Sequence, residues 1–164
     1  MKYLVVIVGV GLEHFLQAQV LKESLRIHSW PCETLILTDQ APTSNGFLNL
    51  TDKSLNAKHT KTGFGQYLPD TDLPVILMDS DMLAVGPCSL YSSKSTLVYS
   101  MLSGGYDSRL IQFPTVEIAR AISLVWHRAW LNRPLKTDIP SFNLAILGRQ
   151  IEPIKITNLI HLPI

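Results

Sequence analysis

The chain has 164 residues, 46% of them hydrophobic, and a formal net charge of +1. This length predicts one domain, residues 1–164, with a sizeable core. The composition excludes a disordered chain, and the small net charge offers no general attraction to nucleic acid. The two cysteines are too few for a disulfide framework and wrongly spaced for a zinc site, so we expect a reducing compartment, the cytoplasm. No segment approaches the length of a membrane span.

The chain opens with a predicted β-α-β unit. Lys2–Val8 is rich in valine and isoleucine and is predicted as a strand, followed by a helix from about Leu12 to Ser29. Thr34–Leu37 is predicted as a second buried strand that ends at Thr38 and Asp39. This order predicts parallel pairing of the two strands. Large apolar side chains share one face of the helix and are expected in the core: Leu12, Leu16, Val20 and Ile27, with help from Phe15 and Leu25.

The turn between this strand and helix is Gly9-Val10-Gly11. It resembles the start of a dinucleotide fingerprint, but His14 stands where the third glycine belongs, so that interpretation fails. The glycines remain consistent with a backbone that approaches a ligand closely, and a plain strand-to-helix turn explains them equally well.

The middle of the chain carries two carboxylates at the end of an apolar run. Asn49–Pro69 is polar, is predicted to be irregular, and includes Lys58 and Lys61, which could reach a phosphate or lie on a solvated surface. Val75–Met78 is predicted as a buried strand that opens directly into Asp79-Ser80-Asp81. Acids at the carboxyl end of a parallel strand face a crevice and suit magnesium or manganese. A simple Asp-Ser-Asp turn is the structural alternative.

Three further strands are predicted in the second half of the chain, at Met82–Val85, Leu97–Leu102 and Arg109–Phe113. A helix is predicted at Val116–Leu131. A last helix is predicted from Asp138 to about Leu147, with Asp138 as its N-cap. His161 lies in the closing apolar run, where it is either a core residue or a ligand for a manganese-type ion.

Four segments together resemble the GT-A class of nucleotide-sugar glycosyltransferases, above all its glycogenin-like and galactosyltransferase-like family eight. They are Val75–Gly86 with the Asp-x-Asp turn, Lys61 with Gln66–Pro69, Asp138–Ala145, and Leu159–His161. The resemblance covers nearly the whole chain. It implies an α/β fold of the GT-A type, with a mostly parallel sheet flanked by helices. The implied activity is metal-dependent transfer of a sugar from a nucleoside-diphosphate sugar, with UDP as the expected carrier, to a carbohydrate or protein acceptor.

The resemblance also implies roles for individual residues. A Mn²⁺ or Mg²⁺ ion would be held by Asp79, Asp81 and His161. Lys58 and Lys61 would meet the phosphates of the donor, with Ser80 in the same donor site. Val8, Gly9 and Val10 would hold the base, and Asp39 would bond the base or the ribose. Asp138 would face the acceptor as a general base or an orienting group, with Asp107 as the second choice.

Two other functions stay open. A haloacid-dehalogenase-like phosphatase also places Asp-x-Asp after an apolar strand and binds magnesium. There, however, the motif generally belongs to the first strand and a later acidic pair completes the site, whereas two predicted strands precede Asp79 here. A non-catalytic nucleotide-sugar-binding protein is the third possibility. The sequence leaves the oligomeric state open, a homo-oligomer included.

Overall fold

The predicted β-α-β opening is present in the computed structural model, which describes residues 2–50, 56–88, 90, 94–100, 106–133, 138–154 and 158–161. Strand β1 spans Tyr3–Gly9, helix α1 spans Leu12–Ile27 and strand β2 spans Cys32–Thr38. The two strands are parallel, as predicted, and pair from Tyr3 with Cys32 to Gly9 with Thr38. Every residue of β1 is buried because both of its faces are covered, which explains its continuous apolar run.

The central sheet has seven strands. Besides β1 and β2 they are β3 (Phe47–Asn49), β4 (Val75–Met78), β6 (Thr96–Ser100), β7 (Tyr106–Phe113) and β8 (Ile151–Ile154). Their order across the sheet is β3-β2-β1-β4-β7-β6-β8. Within this sheet, strand β7 is antiparallel to both of its neighbours, and the other described pairings are parallel. The predicted α/β class with a mostly parallel sheet is therefore confirmed.

Helices cover both faces of the sheet. The side chains of β1 alternate, so that Leu4, Val6 and Val8 pack on one face and Tyr3, Val5 and Ile7 on the other. Helix α1 packs on the second face. The first face is covered by α2 (Ala57–Thr62), a 3-10 helix (Phe64–Tyr67), α3 (Val116–Leu131) and α4 (Asp138–Ala145). A separate two-stranded ribbon pairs β5 (Met82–Ala84) with β9 (Leu159–His161).

The segment Asn49–Pro69 was predicted to be irregular, and that prediction is wrong over much of its length. It contains α2 and the 3-10 helix. Helix α2 begins at a polar cap, because the Asn56 side chain accepts a hydrogen bond from the His59 amide at 2.8 Å. A six-residue polar helix carries no apolar periodicity, so its cap is the sequence signal that identifies it.

The short strands β3 and β8 were also missed. Each has only three or four residues, too few to show an alternating pattern. Strand β8 contains Pro153, which an edge strand tolerates. The strand predicted at Leu97–Leu102 is present as β6, although its last two predicted residues lie outside the described part of the chain.

The apolar face of α1 points the opposite way from the prediction. Leu12, Leu16, Val20 and Ile27 are between 53% and 63% exposed, whereas Ala18, Leu21, Ser24 and Leu25 are buried. The reason is close packing at the start of the helix. A Cβ atom on Gly9 would lie 3.2 Å from the Ala18 Cβ, so the helix meets the end of β1 at a small residue, and Leu21 and Leu25 lie on that same side. Among the described residues, no helix combines the length and apolar character needed to cross a membrane.

Candidate functional site

The acid pair lies where several strands end at one edge of the sheet. Because β1, β2 and β4 are parallel, their carboxyl ends meet there. Asp79 follows directly after β4, and its backbone N–H donates to the Arg109 carbonyl of β7 at 2.9 Å. Strand β7 therefore brings its own polar residues to the same edge.

A buried lysine joins four of the elements at this edge. The Lys61 side chain, on α2, is only 11% exposed, and its Nζ lies 2.7 Å from Asp79 Oδ1 and 2.9 Å from Asp138 Oδ2. Lys61 Nζ also donates to Ser108 Oγ at 3.0 Å, and Ser108 Oγ in turn donates to Asp138 Oδ2 at 3.0 Å. Asp138 lies in the first turn of α4. The structure thus brings together Lys61, Asp79 and Asp138, all predicted site residues, and adds Ser108, which was not predicted.

The pKa values of this cluster follow from burial and from the lysine charge. Burial lowers the pKa of Lys61, but Asp79 and Asp138 outweigh it, so the pKa is raised and the ammonium stays charged. Burial raises the pKa of Asp138, but Lys61 and the Ser108 hydrogen bond more than offset it, and the net shift is downward. For Asp79 burial dominates and raises the pKa, with Asp81 and Asp138 adding to the rise. The two carboxyls that share Lys61 are therefore shifted in opposite directions.

Asp81 and His161 form a second pair beside this cluster. The β5–β9 ribbon places His161 opposite Met82, the residue after Asp81. His161 Nε2 lies 2.8 Å from Asp81 Oδ2, while the buried Asp81 Oδ1 has no hydrogen-bond partner among the described residues. A buried carboxylate oxygen without a partner is costly, and a divalent cation would satisfy it.

The side chains that are present fit a hard divalent cation only in part. Carboxylate oxygens and an imidazole nitrogen form a donor set that suits Mn²⁺. Within the described part of the chain, however, no three His, Cys, Asp or Glu side chains come close enough together to hold a metal ion. Asp79 Oδ1 faces Lys61, and Asp81 faces His161. The Asp81–His161 pair, with its unpartnered oxygen, offers two donors of the kind that such an ion takes.

A cleft of about 180 Å³ lies over the acids. It is lined by predicted residues, namely Val8, Lys58, Lys61, Asp79, Ser80, Asp81 and Asp138, and also by Ala57 and His14. His14 Nδ1 lies 3.2 Å from Gln17 Oε1 and 3.4 Å from Ser80 Oγ. Sequence reasoning treated His14 only as the residue that breaks a glycine motif. Its position in the first turn of the helix after β1 is the signal that could have placed it at this edge.

The other predicted residues lie outside the lining of this cleft. Gly9 is packed against α1, and Val10 is buried in the core. Asp39 is exposed and accepts a hydrogen bond from the Gly11 amide at 2.8 Å, which outweighs burial and lowers the pKa of the carboxyl. Asp39 thereby joins the ends of β1 and β2. Asp107 is only 2% exposed, and its carboxylate pairs with Arg109.

A larger cleft, of about 1000 Å³, lies at the other end of β1 and β2. Its lining includes Leu4, Cys32, Lys22 and Phe47 and contains none of the predicted site residues. The Lys22 Nζ lies 4.3 Å from the centre of the Phe47 ring. Volume alone therefore does not identify the site, and the converging charges at the smaller cleft do.

No protein-family model matches the chain, and neither does any curated protein. Among solved structures, the chain is similar to the crystal structure of the glycosyltransferase GlyE in Streptococcus pneumoniae TIGR4, with a TM-score of 0.70 and 14% identity. The match covers 94% of this chain and 45% of that one. The apo form of GlyE matches with a TM-score of 0.69 and 13% identity over the same shares. The chain spans less than half the length of these two structures, and it shares its fold with a glycosyltransferase.

Proposed function

We propose that the protein is a metal-dependent glycosyltransferase of the GT-A class that takes its sugar from a nucleoside diphosphate, with UDP as the carrier. The observation that carries this proposal is the cluster of Lys61, Asp79 and Asp138 beside the Asp81–His161 pair. It lies at the carboxyl edge of a sheet whose fold is shared with the glycosyltransferase GlyE. In open α/β sheets this edge is where ligands bind.

In this proposal Asp81 and His161 would supply the first ligands of Mn²⁺ or Mg²⁺, and Asp79, which pairs with Lys61 in this structure, would be the third. When bound, the ion neutralises negative charge that develops on the departing diphosphate. The protein itself supplies positive charge from the two lysines of α2. Lys61 is held rigidly by its carboxylate partners, and the exposed Lys58 lines the same cleft. A lysine binds phosphate as a point charge, without the fork geometry of arginine.

The nucleoside is proposed to lie over the ends of β1 and β2. Val8 and Ser80 line the cleft on this side. The hydrogen bond from Gly11 to Asp39 holds the two strand ends together, so that base and ribose would meet one continuous surface there, above the buried Gly9 and Val10.

Asp138 is proposed to face the acceptor. Burial raises the pKa of the Asp138 carboxyl, but Lys61 outweighs burial and the net shift is downward, so the carboxylate stays ionised. An ionised carboxylate can orient an acceptor hydroxyl by accepting its hydrogen bond, and the lowered pKa makes it a weaker general base. Of the two acids considered from the sequence, the geometry favours Asp138. It lines the cleft, whereas the carboxylate of Asp107 is committed to Arg109.

Calorimetric titration with UDP, with and without MnCl₂, tests this proposal. We expect binding that requires Mn²⁺ and is lost in Asp81→Asn, a variant that leaves the core untouched. Nucleotide sugars that bind are then assayed for hydrolysis and transfer. Binding without turnover would favour the non-catalytic function, and release of phosphate from a generic phosphoester would favour the phosphatase. Absence of UDP binding with Mn²⁺ present would contradict the proposal.

A further inference from the structure

Arg109 is held in place by a carboxylate that the proposed mechanism does not use. Asp107 Oδ2 accepts hydrogen bonds from Arg109 Nε at 2.7 Å and pairs with Nη2 at 2.6 Å. Asp107 Oδ1 accepts from the Arg109 backbone amide at 2.9 Å. Among the described residues, these side-chain contacts occupy two of the five guanidinium N–H groups, which leaves three donors for other partners.

An irregularity in β7 presents this arginine at the edge of the sheet. On β6, Val98 pairs with Ile111 and the next residue, Tyr99, pairs with Asp107, so residues 108–110 have no partner on that strand. A bulge of this kind turns side chains away from the regular alternation, and bulges are common beside active sites. On its other side, β7 still pairs with β4, and the Arg109 carbonyl accepts from the Asp79 amide.

The Asp107–Arg109 ion pair is not expected to contribute much to the stability of the fold. Removing a carboxylate from water is costly, and a buried ion pair often returns little net free energy. Asp107 is nevertheless almost fully buried, while the Arg109 side chain remains 32% exposed and lies over the Tyr99 ring. The arrangement orders an arginine whose outer donors still reach solvent.

Arg109 lies within electrostatic range of the acid cluster. Its pKa is raised by the hydrogen bond and charge of Asp107, and the charge of Asp79 adds to the rise. The strand order shows where Arg109 lies relative to the proposed site, because β2, β1, β4 and β7 follow one another along the edge. In the proposed function the nucleoside lies over β2 and β1 and the metal lies at β4. The transferred sugar and the acceptor would then extend toward β7, beyond the residues that line the cleft over the acids, to the strand that carries Arg109.

We infer that Arg109, positioned by Asp107, binds an acidic group, a carboxylate or a phosphate, carried by the transferred sugar or by the acceptor. This inference rests on the proposed function. A guanidinium with free donors binds such planar or tetrahedral anions through paired hydrogen bonds, which a lysine cannot reproduce. The substrate class is therefore an anionic sugar donor or an anionic acceptor rather than a fully neutral pair.

Titrations of the whole chain with Mn²⁺ and three probes test the donor as the source of the anion. The probes are UDP, UDP-glucose and UDP-glucuronate, and the proteins are wild type, Arg109→Gln, Arg109→Lys and Asp107→Asn. We expect wild type to bind UDP-glucuronate roughly tenfold more tightly than UDP-glucose, as for a hydrogen-bonded charge. Arg109→Gln should abolish this preference, and Arg109→Lys and Asp107→Asn should reduce it. UDP should bind all four proteins equally.

The acceptor is tested on protein saturated with Mn²⁺ and a donor analogue that resists transfer. Glucuronate and glucose are then titrated in turn. A preference for glucuronate that Arg109→Gln removes would assign the acidic group to the acceptor. If UDP binds but neither pair of probes shows a preference above threefold, the inference is overturned while the proposed function stands. If UDP itself does not bind, both fail.

Discussion

Lys61 is the residue on which the candidate site depends most. Its ammonium is almost fully buried, and two carboxylates and one hydroxyl compensate for the water that it has lost. Removing one member of such a group leaves the others charged, buried and unpaired, which is far more costly than the net value of the pairs themselves. The same residue therefore serves stability and, in the proposed function, phosphate binding.

Lys61→Met should lower the free energy of unfolding by roughly 3 kcal/mol, because Asp79 and Asp138 lose their shared partner. Urea denaturation measured at pH 7 gives this value. Lys58→Met is the matched control, since Lys58 is exposed on the same helix and its loss should cost less than about 0.5 kcal/mol. Equal costs for the two variants would contradict the structure.

The acids of the cluster should give opposite pH dependences. Asp138 has a lowered pKa in the folded protein, so its stabilising effect is present above the unfolded value of about 3.9 and is lost as the pH falls through the folded value. Asp79 has a raised pKa, so the folded state binds its proton more readily and acidification favours folding. Asp138→Asn should therefore flatten the loss of stability below about pH 4, and Asp79→Asn should steepen the loss as the pH falls from about 6 to about 4. Denaturant unfolding across this range is the measurement, and slopes that change in the same direction would refute the assignment.

At the scale of elements, short segments hold the residues of the candidate site, and long segments form the hydrophobic core. Helix α2 has only six residues, yet it holds Lys58 and Lys61. Its position depends on α3, because Ser123 Oγ donates to the Thr62 carbonyl at 2.8 Å and accepts from the Gly65 amide at 2.9 Å. Helix α1, with sixteen residues, covers one face of the sheet.

The N-cap of α2 should matter more than its exposure suggests. Asn56→Ala removes the acceptor for the His59 amide and should lower the free energy of unfolding by about 1 kcal/mol. Asn56→Asp keeps an acceptor at the same place and should cost little. Thermal and urea unfolding compare the two variants, and a similar loss in both would argue against the cap.

Two leucine-to-alanine substitutions test which face of α1 is buried. Leu21 is fully buried, so Leu21→Ala should lower the free energy of unfolding by about 2–5 kcal/mol, because apolar burial is lost and a cavity is left. Leu16 is 53% exposed, so Leu16→Ala should cost less than about 1 kcal/mol. Urea midpoints report both, and a larger effect at Leu16 would restore the orientation predicted from the sequence.

At the scale of the whole molecule, the site is assembled from distant parts of the chain. Lys61, Asp79, Ser108 and Asp138 meet because α2, β4, β7 and α4 surround one edge of the sheet. The ribbon of β5 and β9 brings His161 next to Asp81, although the two residues are 80 positions apart in the chain. Elements that are stable for other reasons thus hold the site in place.

His161→Ala should weaken Mn²⁺-dependent UDP binding by roughly tenfold or more while leaving the fold intact, because the imidazole is partly exposed and lies beside Asp81. His28→Ala, at the far end of α1, is the control and should bind as wild type does. Calorimetry with Mn²⁺ and UDP measures both. Unchanged binding in His161→Ala would remove this residue from the proposed metal site.

The sequence by itself determined the parts whose signal is local. The apolar runs of β1 and β4, the acids that follow β4 and the long helices were all predictable, because burial on both faces requires continuous apolar strands and polar residues must leave the core at their ends. Seven of the predicted site residues accordingly line one cleft.

Only the tertiary structure decided the parts that depend on distant partners. Periodicity shows that α1 has an apolar face but not which way it turns, and close packing of Gly9 against Ala18 decides that. The pairing of Lys61 with both Asp79 and Asp138, the commitment of Asp107 to Arg109 and the presence of His14 in the cleft all depend on strand order and register. Contacts between residues far apart in the chain have no signature in local composition, so they appear only when the sheet is assembled.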